Sequence, residues 1–153
     1  MIAANKSAAR FLIKQNWQLN MFSYFTIASA NAALPEVIKK YKHVLSSKDE
    51  VLKTEQELEV LLTSGGNFES YVKLKQILNS KITKFYTSIE ELENTGVVVK
   101  SIEEGLLDFP AKRFDEEVWL CWKEGEQEIK FWHEKDSGFM GRKPIEVSDE
   151  SLV

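Results

Sequence analysis

The hydrophobic rhythm of this chain changes once, near Gly96, and that change restricts the fold more than any other feature. Before it, apolar residues recur at Ile27, Ala30, Leu34, Val37, Tyr41, Val44, Val51, Leu58 and Leu62. That three-and-four alternation belongs to a helix packed along one seam. Lys48 and Glu55 interrupt the seam, which argues for a long helix rather than an autonomous coiled coil. Thr26 is suited to cap its start. Ser29 stands where a capping box would place Glu, so the sequence predicts a half-built cap. Pro35 cannot donate to residue 31, which predicts a kink or short break, and Asn31 lies one turn earlier for polar contacts. Thr63-Ser-Gly-Gly-Asn67 reads as a reversal, and a second helix follows from Phe68 to Asn94, antiparallel to the first.

After Gly96 the apolar residues alternate by two, as in strands with one buried face. Val97–Val99, Leu106–Phe114, Val118–Trp122 and Ile129–His133 are the candidate strands. Pro110 predicts an edge or bulge, and Lys123-Glu-Gly-Glu126 a hairpin turn. The expected fold is α+β: a long antiparallel helical hairpin followed by a three- to four-stranded antiparallel β-meander packed on it. The expected boundaries are a loosely ordered N-terminal extension at 1–20, one folded domain at 21–145 (hairpin 26–95, β module 97–145) and a tail at 146–153. Met21 directly precedes the first structural signal and is suited to open the folded unit.

A chain of 153 residues suits one domain with a modest core. Its net charge of −4 argues against a nucleic-acid-coating role. Acids far outnumber bases between Glu103 and Glu128, so the Trp-rich strands would repel phosphates. The single cysteine, Cys121, cannot close an intrachain disulfide, which fits a reducing, cytoplasmic setting. No run reaches the roughly 18 apolar residues of a membrane helix. The first twenty residues carry Lys6, Arg10 and Lys14 and no acid; a plain extension or an amphipathic targeting helix both fit that pattern.

Several short strings resemble a known family: Phe25-Thr26, Ala30-Asn31, Leu34-Pro35, Gly105-Leu-Leu-Asp-Phe-Pro-Ala111, Leu120-Cys-Trp122, Trp132-His133 and Asp136-Ser-Gly-Phe-Met-Gly-Arg-Lys-Pro-Ile145. This is a small prokaryotic family classed as a domain of unknown function and sometimes loosely labelled division-related. The resemblance covers roughly residues 22–145. It departs at Ala28 and Ser29, where family members usually carry acids. It implies the hairpin-plus-sheet layout and carries no reaction or catalytic residue.

The polar cluster with most potential is Asp108, Arg113, His133, Asp136 and Arg142, set among aromatic residues where unsatisfied polar groups are costly. His133 is suited to carry a proton or ligate a metal, the two aspartates to orient it, and the arginines to clamp an anion. The competing reading is structural: an Asp136–Arg142 salt bridge pins the last loop, and His133 is a satisfied core residue. With His43 on a distant helix, an ordinary zinc site lacks ligands, so no metal and no cofactor are expected. Cys121, flanked by tryptophans, reads as core packing. Gly65-Gly66 lacks the Lys-Ser/Thr continuation of a phosphate loop.

These features favour a non-enzymatic interaction protein that self-associates, with a dimer preferred, and no nucleic-acid or membrane partner. The alternative is binding of a small ligand, anion or metal, or catalysis, by the His133 cluster. A third reading docks the basic N-terminal extension on a larger assembly.

Overall fold

The computed structural model describes residues 23–146. The expected extension at 1–20 and nearly all of the expected tail lie outside the described residues. Among the described residues, two α-helices are followed by a five-stranded antiparallel sheet, an α+β fold. The chain divides into two compact units: Ala33–Thr95 form one, and the segments on either side, up to Ala32 and from Gly96 onward, form the other.

Helix α1 spans Ile27–Thr63 and α2 spans Phe68–Glu93. The cap of α1 is more complete than expected. Thr26 Oγ1 accepts from the Ser29 amide at 2.9 Å, and Ser29 Oγ accepts from the Thr26 amide at 2.9 Å. A serine hydroxyl thus closes the reciprocal box that Glu usually closes. Pro35 lies inside α1, which continues through it as one helix. The α2 cap is simpler: Asn67 Oδ1 accepts from Ser70 N at 2.8 Å.

In the helical unit, Leu34, Val37, Tyr41 and Val44 are fully buried, as the seam predicted. Beyond Val44 the seam loosens: Val51 and Leu58 are half-buried and Leu62 is exposed. The residue that turns inward there is Thr54, whose hydroxyl donates to the Glu50 carbonyl at 2.8 Å and so needs no partner across the seam. Lys81 on α2 reaches Glu50 on α1 at 3.0 Å, an ion pair consistent with two antiparallel helices joined by a four-residue turn.

The sheet unit orders its strands as they occur in sequence: β1 (Val98–Ser101), β2 (Leu106–Arg113), β3 (Glu116–Lys123), β4 (Phe131–Glu134) and β5 (Lys143–Pro144). The meander has one strand more than expected, because the two residues of β5 pair with β4. Between β2 and β3 the turn is Phe114-Asp115, with Phe114 at φ 55°. No Asn or Gly marks it, so this tight hairpin was hidden from turn chemistry. The turn after β3 falls where expected, with Glu126 N donating to the Lys123 carbonyl at 3.0 Å.

Period-two alternation sorts the sheet into two faces. One carries Leu107, Phe109, Ala111, Val118, Leu120, Trp122 and Trp132, all buried. Phe25 closes edge-on over Phe109, with centroids 5.1 Å apart. Pro110 is at a local edge even though β2 is an inner strand. Strand β1 pairs only with residues 106–108, and the Pro110 carbonyl accepts instead from Phe25 N at 2.7 Å. The missing proline N–H points to that same side, where no ladder bond is lost. Gly96, at φ +99°, enters the sheet against the Phe25 ring, which an added Cβ would meet at 3.1 Å.

Asn31 does what its position suggested. Its Oδ1 accepts from Ile129 N at 2.8 Å, anchoring the approach to β4.

Candidate functional site

The second face of the sheet is polar at its centre, and strand register builds the site. Asp108 in β2 stands opposite Cys121 in β3, and Trp119, two residues before Cys121, stands opposite His133 in β4. Asp108, Cys121 and His133 therefore share one face on three successive strands, and all three are buried. Lys100, from β1, joins them from the side.

His133 Nε2 lies 3.1 Å from Asp108 Oδ2, and its Nδ1 lies 2.9 Å from its neighbour's carbonyl, Glu134 O. A carbonyl can only accept, so Nδ1 carries the hydrogen and Nε2 is the nitrogen aimed at the carboxylate. Two lone pairs would repel at that distance, so a proton sits between Nε2 and Oδ2, making either an imidazolium–carboxylate or an imidazole–carboxylic acid pair. Burial pushes the Asp108 carboxyl above its ordinary value, opposed first by the neighbouring His133 and then by Lys100. Lys100 Nζ is 3.9 Å from Asp108 Oδ2 and 4.2 Å over the Trp119 ring. Trp119 Nε1 itself is buried and finds no hydrogen-bond partner among the described residues, on the same face.

The pair opens into a cavity of about 290 Å³. Its other walls include Lys100, Cys121 and the turn Lys135-Asp136-Ser-Gly-Phe139. At Gly138 an added Cβ would meet nothing within 4 Å, so that part of the wall is open.

The expected cluster is brought together only in part. Asp108 and His133 converge, and Asp136 lies exposed at the cavity mouth. Arg113 does not join them: it is an odd number of residues along β2 from Asp108 and so belongs to the opposite face, its guanidinium 4.7 Å over Trp132. Arg142 forms its ion pair with Glu126 at 2.7 Å, not with Asp136, and its guanidinium stacks 4.1 Å over Phe131 and 4.2 Å over Phe139. That bridge pins the last loop, as the structural reading required, through a different acid.

Cys121 was read as packing, and the structure places it against the polar pair. Its thiol is pushed up to about 12, mainly by burial and next by the negative charge of Asp108. Both imidazole nitrogens are already engaged, so His133 is not free to act as a base on the sulfur. Nucleophilic thiol chemistry is therefore disfavoured in this arrangement. In chelator-treated native protein at pH 8, iodoacetamide should alkylate Cys121 on the order of a thousandfold more slowly than in the urea-unfolded chain. Equal rates by mass spectrometry would show the thiol is neither buried nor raised.

The model of the uncharacterized conserved protein family DUF2203 matches residues 23–145. The chain belongs to that family. No curated protein and no solved structure matches it. The DUF2203 match runs through both compact units and contains every residue of the site. Among the described residues, no helix is long and apolar enough to cross a membrane.

Proposed function

We propose that this DUF2203 protein binds a small polar ligand in the cavity above Asp108 and His133. The observation that carries this reading is a buried, proton-sharing carboxylate–imidazole pair that lines an open cavity. A pair needed only for stability is better replaced by apolar packing, because desolvating two charges offsets most of their attraction. Lys100, Lys135 and the Ser137 hydroxyl at the walls supply further polar contacts. A reducing, cytoplasmic setting suits the buried free thiol. Thermal-shift measurements against divalent metals, nucleotides and small organic anions test the reading. At least one class should raise the melting temperature of the wild type by mass action and leave Asp108→Asn unmoved. A wild type that responds to none of the three classes rejects it.

A second reading concerns the helical unit, where the far half of the hairpin is thinly packed. Between residues 45 and 77, Thr54 is the one buried residue. Leu52, Val60, Leu62, Phe68 and Ile77 are exposed there. Beyond the Glu50–Lys81 pair within the chain, acids gather on α1 at Asp49, Glu55, Glu57 and Glu59, and bases on α2 at Lys75 and Lys84. A second copy related by a two-fold axis would lay α1 against α2, covering the apolar residues and matching opposite charges. Light scattering on eluted protein at micromolar concentration should give twice the chain mass, and Leu62→Glu with Phe68→Glu should return it to one. A monomeric wild type discards the dimer.

A further inference from the structure

We infer that Asp108, Cys121 and His133 form a site for one divalent transition-metal ion of borderline softness, zinc foremost, open on its fourth side to the cavity. The inference rests on the ligand-binding reading above and names the ligand's anchor. One carboxylate oxygen, the thiol sulfur and a ring nitrogen all lie within 4.8 Å of one another. A tetrahedral zinc ion with bonds of roughly 2.0–2.3 Å spaces its ligand atoms roughly 3.3–3.8 Å apart, so small side-chain rotations close the set. Three adjacent strands supply the three ligands, which holds their Cα atoms in a rigid frame.

The histidine is already oriented as a metal ligand. Its Nδ1–H donates to the Glu134 carbonyl, the outer contact that typically fixes the tautomer of a ligating imidazole. Nε2, the nitrogen left to bind, is the one directed at Asp108. A metal ion would take the place of the proton now between Nε2 and Oδ2. On binding, the Cys121 thiol would give its proton to solvent and become a thiolate. An imidazole, a carboxylate and one sulfur select against magnesium and calcium, which want oxygen ligands alone. Three protein ligands with an open side match zinc sites that exchange a bound molecule, not sealed structural ones. The sequence alone could not supply this set, because Cys121 enters it only through its register with Asp108.

Among the described residues, Lys100 beside Asp108 and Arg142 beside Cys121 are cations that would oppose the metal; Arg142 is held in its ion pair with Glu126, whereas Lys100 is not so held. Its side chain is 41% exposed and can turn to solvent. This distinguishes metal from anion. Lys100→Met should leave metal binding equal or tighter, whereas direct capture of an anion would weaken.

The full-length protein, stripped with chelator and titrated with Co(II) chloride, tests the inference. One equivalent should bind with a sulfur-to-cobalt charge-transfer band in the near ultraviolet and visible bands of four-coordinate cobalt, both erased by added Zn(II). Cys121→Ser should keep the wild-type melting profile and lose the charge-transfer band. His133→Gln and Asp108→Asn should each weaken binding at least about tenfold. Absence of the band in wild type, or its persistence in Cys121→Ser, overturns the metal site. If organic anions still stabilise the metal-stripped protein in that case, the cavity reading survives; if nothing binds, both fall.

Discussion

Replacing His133 with alanine is expected to cost about 3 kcal/mol of metal-free stability, measured by urea unfolding at pH 7.5. The imidazole is 3% exposed, so its removal leaves a void and a buried carboxylate that keeps the exposed Lys100 as its neighbouring charge. Asp108→Ala should cost less, because a neutral imidazole can remain buried with Nδ1 still bonded to Glu134. The double variant should be less damaging than the sum of the two by about 1–3 kcal/mol, the signature of a direct pair. Simple additivity would mean that the two groups do not share a proton.

The pH dependence follows from the same site. Asp108 holds its proton more tightly in the folded chain than in the unfolded one, since burial raises its carboxyl. The stability this contributes is present below the unfolded value, about 3.9, and is lost as pH rises through the higher folded value. Removing His133 takes away the strongest opposing influence and raises the carboxyl further. His133→Ala should therefore lose more stability than wild type between pH 4.5 and 7.5. Parallel curves would count against a charged Asp108 facing His133.

On the other face of the sheet, Phe109→Ala is expected to lose about 3–5 kcal/mol, a large share of the roughly 5–15 kcal/mol that holds a domain together. Phe109 is fully buried opposite Leu120, and its ring receives the edge of Phe25. Phe109→Leu, which keeps most of the volume, should cost no more than about 1.5 kcal/mol. Chemical denaturation followed by tryptophan fluorescence reads both. A loss below about 1 kcal/mol for the alanine variant would mean this face is not the core of the sheet unit.

Much of the fold could be read in advance, and the reasons are local. Thr26, the Leu34–Val44 seam, the Gly65-Gly66 reversal and Gly96 each act through their own backbone or the next turn of helix. Pro110 signalled an edge correctly, although the edge is created by where β1 stops. The exceptions also have local causes: Ser29 closed a box expected to stay open, and β5 is too short to show periodicity.

The site was legible only in its residue types. Asp108 and His133 were picked out as polar groups among aromatics. Arg113 could have been set aside by parity alone, because a residue five positions from Asp108 along an unbroken strand must face the other way. Cys121 could not have been included. Its partnership with Asp108 depends on the two-residue turn at Phe114-Asp115, and shifting that turn by one residue would move every side chain of β3 to the opposite face.

Periodicity and punctuation along the chain therefore settled which segments are helices, which are strands and where most of them end, since those choices are made by neighbours within a few residues. Which acid meets Arg142, which strand residues stand beside His133 and where a cavity opens were decided by pairing between distant segments. That pairing is chosen by the free energy of burying one whole face of the sheet, a quantity no short window of sequence contains.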